Sequence, residues 1–142
     1  MTDQKLREIS GLRLFTECPT DDMRWICGVA DTVDIPAGRT IFRAGERVRE
    51  FVVLVRGTAS ASNGHDAIAL APGSHIGAVE LTDDGLHGRT VEATTPVRLL
   101  VFGPRAFRGM LRRMPSVGRT LLAAKVEPLH RDQEPRSLRA VS

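Results

Sequence analysis

Pro72-Gly73-Ser74-His75-Ile76-Gly77-Ala78-Val79-Glu80-Leu81-Thr82-Asp83-Asp84-Gly85-Leu86-His87-Gly88-Arg89-Thr90-Val91 is the stretch on which the reading of this chain turns. A strand is expected to end at Ile76. Gly77 opens a sharp turn, and Ala78 to Thr82 have the length of one helical turn. A polar loop with two glycines then returns the chain at Arg89-Thr90. The free N–H groups that begin a short helix attract anions, and a glycine there lets a ligand approach the backbone closely. Arg89 offers a charge-assisted fork to a phosphate, and Thr90 a hydroxyl or an N–H. The segment therefore reads as a compact phosphate cradle.

Upstream of it, from Asp31 onward, short apolar runs alternate with glycine turns: Pro36-Ala37-Gly38, Ala44-Gly45-Glu46, Arg56-Gly57, Asn63-Gly64 and Pro72-Gly73. That spacing is an all-β signature. Asn63-Gly64 predicts a hairpin joining Phe51–Ser62 to His65–Ala71 through a type I′ turn. Val91, Ala93, Val97, Leu99 and Val101 supply the last strands, so about eight short strands are expected, in a β-roll or jelly-roll-like barrel.

Helices are expected at both ends. Leu6, Ile9 and Leu12 mark a first short one, and Leu14-Phe15 a plug into the core. Met23, Ile26, Cys27 and Ala30 fall at i, i+3, i+4 and i+7, with Thr20 as N-cap and Asp21 and Asp22 in the first turn. Past the strands, Phe107, Met110, Leu111 and Met114 repeat that spacing behind Pro104, and Pro115 starts a last helix with Val117, Leu121, Leu122 and Val126 on its apolar side. Residues 1–127 read as one domain; 128–142, polar and broken by Pro135, read as a disordered tail.

The ordered set of motifs, from Leu12-Arg13-Leu14-Phe15 to about Leu122, resembles the cyclic-nucleotide-binding domain family, in particular the effector domain of catabolite activator proteins. Ile35 to Glu46 is similar to the family's opening strand, turn and strand. Phe51-Val52-Val53-Leu54-Val55-Arg56-Gly57 looks like its central strand, and Leu70 to Gly77 like the turn into its phosphate-binding cassette. The resemblance implies a regulatory module that binds cyclic AMP or cyclic GMP, or a related small anion. The residues it points to are Gly77, Ala78, Val79, Glu80, Leu81, Arg89 and Thr90. Thr120 or Arg119, on the last helix, would approach the base.

The pattern departs from the family at one position. After the cassette glycine the family carries a glutamate that holds the ribose 2′-hydroxyl; here stands Ala78. Glu80, two residues on, lies about 200° around a helix and points elsewhere. Losing such a contact costs roughly 1.5–3 kcal/mol, about one to two decades of affinity. The loop before Arg89 is also about one residue longer than usual. Ala78 thus supports a rival reading: a degenerate member without nucleotide that acts as a protein-interaction module through its helical ends. A plain surface pairing of Arg89 with Asp83 or Asp84 is the bland alternative to its phosphate role.

Composition narrows the remaining classes. Of 142 residues, 42% are hydrophobic and 26% charged, ordinary for a soluble globular domain. No apolar run suits a membrane span, and Met1 to Glu8 lack the apolar core of a secretory signal, so a cytoplasmic location is expected. The two cysteines, Cys18 and Cys27, form neither a zinc motif nor a disulfide framework and read as half-buried free thiols. His65, His75, His87 and His130 show no metal-ligand spacing, Asp83-Asp84-Gly85 is a turn and not a calcium loop, and Ser74-His75 with Asp66 lacks a strained nucleophile turn. The expectation is neither an enzyme nor a cofactor protein. Twenty basic against seventeen acidic residues give a net charge of +3, too scattered for a nucleic-acid footprint. Arg105, Arg108, Arg112 and Arg113 read as the solvated face of an amphipathic helix. Residues 129–142 are too few for the helix-turn-helix that transcription factors of the family append, so DNA binding by this chain alone is not expected. Homodimerisation through the last helix is common in the family, although Val117 to Val126 cover barely three turns.

Overall fold

The computed structural model describes residues 2–83 and 85–123. Two helices and a 3₁₀ turn come first: α1 (Thr2–Ser10), Arg13–Phe15 and α2 (Thr20–Val29). Eight strands follow, β1 (Asp31–Ile35), β2 (Thr40–Phe42), β3 (Phe51–Arg56), β4 (Ala59–Ser62), β5 (Ala67–Leu70), β6 (His75–Ile76), β7 (Thr90–Ala93) and β8 (Val97–Phe102). A six-residue helix, α3 (Ala78–Asp83), interrupts them between β6 and β7, and α4 (Pro104–Arg113) and α5 (Pro115–Ala123) close the described chain. The strands form two antiparallel four-stranded sheets, ordered β1-β8-β3-β6 and β2-β7-β4-β5. They face each other as an open β-roll and not as a closed barrel.

The central strand β3 of the first sheet is covered on both faces, which explains its unbroken apolar run. Successive strand side chains point to opposite faces. Phe51, Val53 and Val55 of β3, with Leu100 and Phe102 of β8, join Phe15, Met23, Ile26, Phe107, Met110, Met114 and Leu121 in a core between sheet and helices. The intervening Val52 and Leu54, with Val97 and Leu99, pack instead into the roll interior against Ala93. A third cluster, Ala59, Ala61 and Val91, continues that interior toward Ile76 and Phe42. The helical stripes land as their spacing predicts, with Met23 and Ile26 buried on α2 and Phe107 and Met110 on α4.

Three details differ from the sequence expectation. Phe51 to Ser62 is not one strand. The pairing with β8 shifts register between Leu54 and Arg56, and Gly57 takes φ +88° where an added β-carbon would overlap the Pro96 carbonyl oxygen. No side chain fits there, so the chain turns and β4 enters the second sheet. The Asn63-Gly64 hairpin does form, but as a four-residue loop: Ser62 pairs with Ala67. The Asn63 side-chain oxygen accepts from the amides of His65 (2.9 Å) and Asp66 (3.1 Å). That Asx cap stabilises a longer turn than the two-residue type I′ form. At α2, Pro19 and not Thr20 occupies the N-cap position; Thr20 is the first helical residue.

On the outer face of the first sheet, Arg98 ties strands to helix. It holds both carboxylate oxygens of Asp34 (2.7 and 3.1 Å) and reaches Glu8 of α1 (3.2 Å), which also pairs with Arg56 (2.9 Å). Arg113 pairs with Asp22 (2.8 Å) and lies over the Trp25 ring, whereas Arg105, Arg108 and Arg112 face solvent. No described helix is long and apolar enough to cross a membrane. Residues 124–142, with Val126, Pro128 and the proposed tail, lie outside the described residues.

Candidate functional site

The cassette is built on a point of close approach. Gly77 follows β6 with φ +99°, and a β-carbon there would stand 2.6 Å from the Glu50 carbonyl oxygen. This turn launches α3, whose first i→i+4 bond runs from the Leu81 amide to the Gly77 carbonyl (2.9 Å). Ala78 points into the helix-side core and is 4% exposed. Val79 and Glu80 are half-buried, and Leu81 packs against the helical core. The Glu80 backbone carbonyl accepts the Gly85 amide (2.7 Å), and its carboxylate lies within electrostatic range of His87.

The return loop is laced to the β2–β3 connection by the backbone. The Gly45 amide donates to the His87 carbonyl (2.8 Å), the His87 amide to the Glu46 carbonyl (2.8 Å), and the Val48 amide to the Gly85 carbonyl (3.0 Å). The Ala44 amide donates to Thr90 Oγ1 (3.0 Å), so that hydroxyl already has a structural task. His87 is buried and stacks on Phe42 with ring centroids 4.2 Å apart. Burial holds its pKa below the usual imidazole value, against the opposing pull of Glu80 and Glu46. Nothing in the sequence pointed to this stacking, because an isolated histidine in a polar loop carries no periodic signal.

Arg89 closes the arrangement. Its guanidinium turns toward the β4–β5 hairpin. Nη1 donates to the Ala61 carbonyl (3.1 Å), to Asp66 Oδ1 (3.2 Å) and, at 3.5 Å, to the Asp66 carbonyl. The sequence offered Asp83 or Asp84 as its pairing carboxylate; Asp84 and the Asp83 side chain lie outside the described residues, and among those the partner is Asp66. Sequence distance concealed Asp66, 23 residues upstream, and only the pairing of β4 with both β5 and β7 brings it near. Among the described residues, Nε and Nη2 of Arg89 donate to nothing.

Thr120 and Arg119 are exposed on α5, a helix that packs against α3. Thr120 Oγ1 bonds the Ser116 carbonyl (3.1 Å), and the residue lines a separate cavity of about 360 Å³ between the 3₁₀ turn, Gly73, His75 and α5. Cys18, on the same cavity, is a half-buried free thiol, as is Cys27. Burial pushes both thiols up, and Asp22 and Glu17 add to the shift at Cys18. Among the described residues no cluster of His, Cys, Asp and Glu is arranged to hold a metal.

The family model described as the cyclic nucleotide-binding domain matches residues 32–114, from the start of β1 through the cassette to the end of α4. The chain belongs to this family. Members of the cyclic nucleotide-binding domain family are typically regulatory rather than catalytic. Solved structures of similar fold include a cyclic nucleotide-binding protein from Geobacter metallireducens, with a TM-score of 0.68 at 20% identity over 87% of this chain and 97% of that one. Another is the regulatory subunit of a cAMP-independent protein kinase A from Trypanosoma brucei, with a TM-score of 0.75 at 12% identity over 89% of this chain. A third is a cAMP-binding acyltransferase from Mycobacterium smegmatis, with a TM-score of 0.64 at 24% identity over 87% of this chain. The chain spans 46% and 42% of the last two. At these identities the likeness is one of fold. No curated protein matches significantly.

Proposed function

We propose that this cyclic nucleotide-binding domain is a non-enzymatic regulatory module that takes cyclic AMP or cyclic GMP in its cassette. The observation that carries the reading is Arg89. A guanidinium with a side chain only 18% exposed stands at the cassette arginine of a family-matched segment, and its Nε and Nη2 donate to nothing among the described residues. A planar fork with two donor positions unpaired among the described residues suits a phosphate. Gly77 and the backbone that begins α3 would face the phosphate from the other side. Occupancy would bias the packing of α4 and α5, whose Phe107, Met114 and Leu121 share one core with Ala78.

A second reading rests on Ala78 itself. It sits in the helical core, no carboxylate replaces the family's glutamate, and the same fold serves a regulatory subunit described as cAMP-independent. On that reading the domain binds no nucleotide and works through its helical ends. Thermal shift and calorimetric titration with cyclic AMP and cyclic GMP separate the two, with Arg89→Ala as control. Micromolar binding that disappears in Arg89→Ala is expected. No response at millimolar nucleotide overturns the sensor and leaves the interaction module.

A further inference from the structure

We infer that Asp66 is a built-in counter-anion for Arg89, and that it sets the affinity of the cassette by competing with any anionic ligand for the guanidinium. The inference rests on the reading of Arg89 as the phosphate-binding residue and adds a determinant on a different element, the β4–β5 hairpin.

A guanidinium largely withdrawn from water needs a charge partner. Among the described residues the carboxylate that supplies it is Asp66, at 3.2 Å. The hairpin delivers that carboxylate ready-made. The Asp66 amide donates to Asn63 Oδ1 (3.1 Å), and its carbonyl accepts from the Asn63 amide (3.2 Å), so the backbone beneath it is fixed before the side chain is placed. The Asp66 side chain is 64% exposed. Once released it rehydrates without crossing the interior, so the exchange of carboxylate for phosphate needs no rearrangement of the roll.

The charges determine the direction of the effect. Arg89 carries one positive charge, which Asp66 already balances. A phosphate arriving at the same guanidinium must either displace the carboxylate or sit beside it and be repelled. Both routes weaken binding. An exposed pair of this kind shifts such an equilibrium by up to about fivefold, and the shift is screened by salt. The tether to the Ala61 carbonyl (3.1 Å) stays in place whichever anion is bound, so Arg89 keeps its position when Asp66 lets go. A filled cassette therefore also frees the hairpin of its ion pair.

The test is Asp66→Asn, which keeps the acceptor oxygen and the size of the side chain and removes only the charge. The turn bonds at this position are made by backbone atoms and by Asn63, so the variant is expected to fold, checked by circular dichroism. Calorimetric titration with cyclic AMP is run on the wild type, Asp66→Asn and Arg89→Ala, at low and at 0.5 M salt (roughly a 4 Å screening length). The expected result is binding about three- to fivefold tighter in Asp66→Asn at low salt, a gap that closes at high salt, and no binding in Arg89→Ala. Equal or weaker binding by Asp66→Asn, with Arg89→Ala still inactive, overturns the counter-anion and leaves the nucleotide site intact. Failure of both wild type and Asp66→Asn to bind overturns the two readings together.

Discussion

Gly77 and Glu50 meet backbone to backbone: a β-carbon at Gly77 would lie 2.6 Å from the Glu50 carbonyl oxygen and 3.2 Å from a Val48 methyl. The cassette helix therefore starts from a position where the polypeptide has no room for a side chain, and where φ is +99°. Val52 and Val53 of β3 pair with Ile76 and His75 just before it, so the strand and the launch of the helix are fixed by one contact.

Gly77→Ala should accordingly lower stability by about 2–4 kcal/mol, from left-handed strain and the clash with a carbonyl that cannot swing away. Urea denaturation of the two proteins measures it. A loss below about 0.5 kcal/mol would mean that the close approach is not maintained in solution.

Ala78→Glu tests what the missing family carboxylate costs. Position 78 faces Phe51, Phe107 and their neighbours in the helical core, so a glutamate there buries a charge without a partner. A loss of about 2 kcal/mol or more is expected, with no gain in nucleotide affinity. Tighter binding of cyclic AMP by the variant would show that the side chain escapes to the ligand and that the helix can rotate.

Acid should loosen the fold through two histidines. Burial depresses the pKa of both His75 and His87 below the ordinary 6.5, so near pH 6 the native state binds fewer protons than the unfolded chain. Stability then rises with pH in that window. Their contribution is complete above pH 6.5 and is lost as pH falls through the lowered folded values. His75→Phe, beside Phe51, should flatten the slope of the denaturation midpoint between pH 5 and 7. An unchanged slope would place the proton uptake elsewhere.

The architecture was legible in the sequence where one residue type forces one geometry. The glycine turns, the apolar run Phe51–Val55 and the two helical stripes each follow from local rules, and the cassette segment itself was marked by Gly77 and by Arg89. What stayed hidden depends on distance along the chain. Gly57 reads as an ordinary turn until the Pro96 carbonyl stands against it. Asp66 reads as a turn residue until β7 brings Arg89 alongside, and Phe42 and His87 meet only because two loops are laced together. The cavity that Thr120 borders stayed hidden for the same reason, since helix spacing does not tell which cavity a helix faces.

That lacing has a consequence for how such a cradle is inherited. The bonds joining residues 45–48 to residues 85–87 run between amides and carbonyls, which every amino acid other than proline supplies in full. Apart from the Thr90 hydroxyl and the glycines the path requires, the letters written there can drift over generations while the scaffold is copied unchanged. A lineage can exchange the chemistry of its ligand site and keep the frame that holds it.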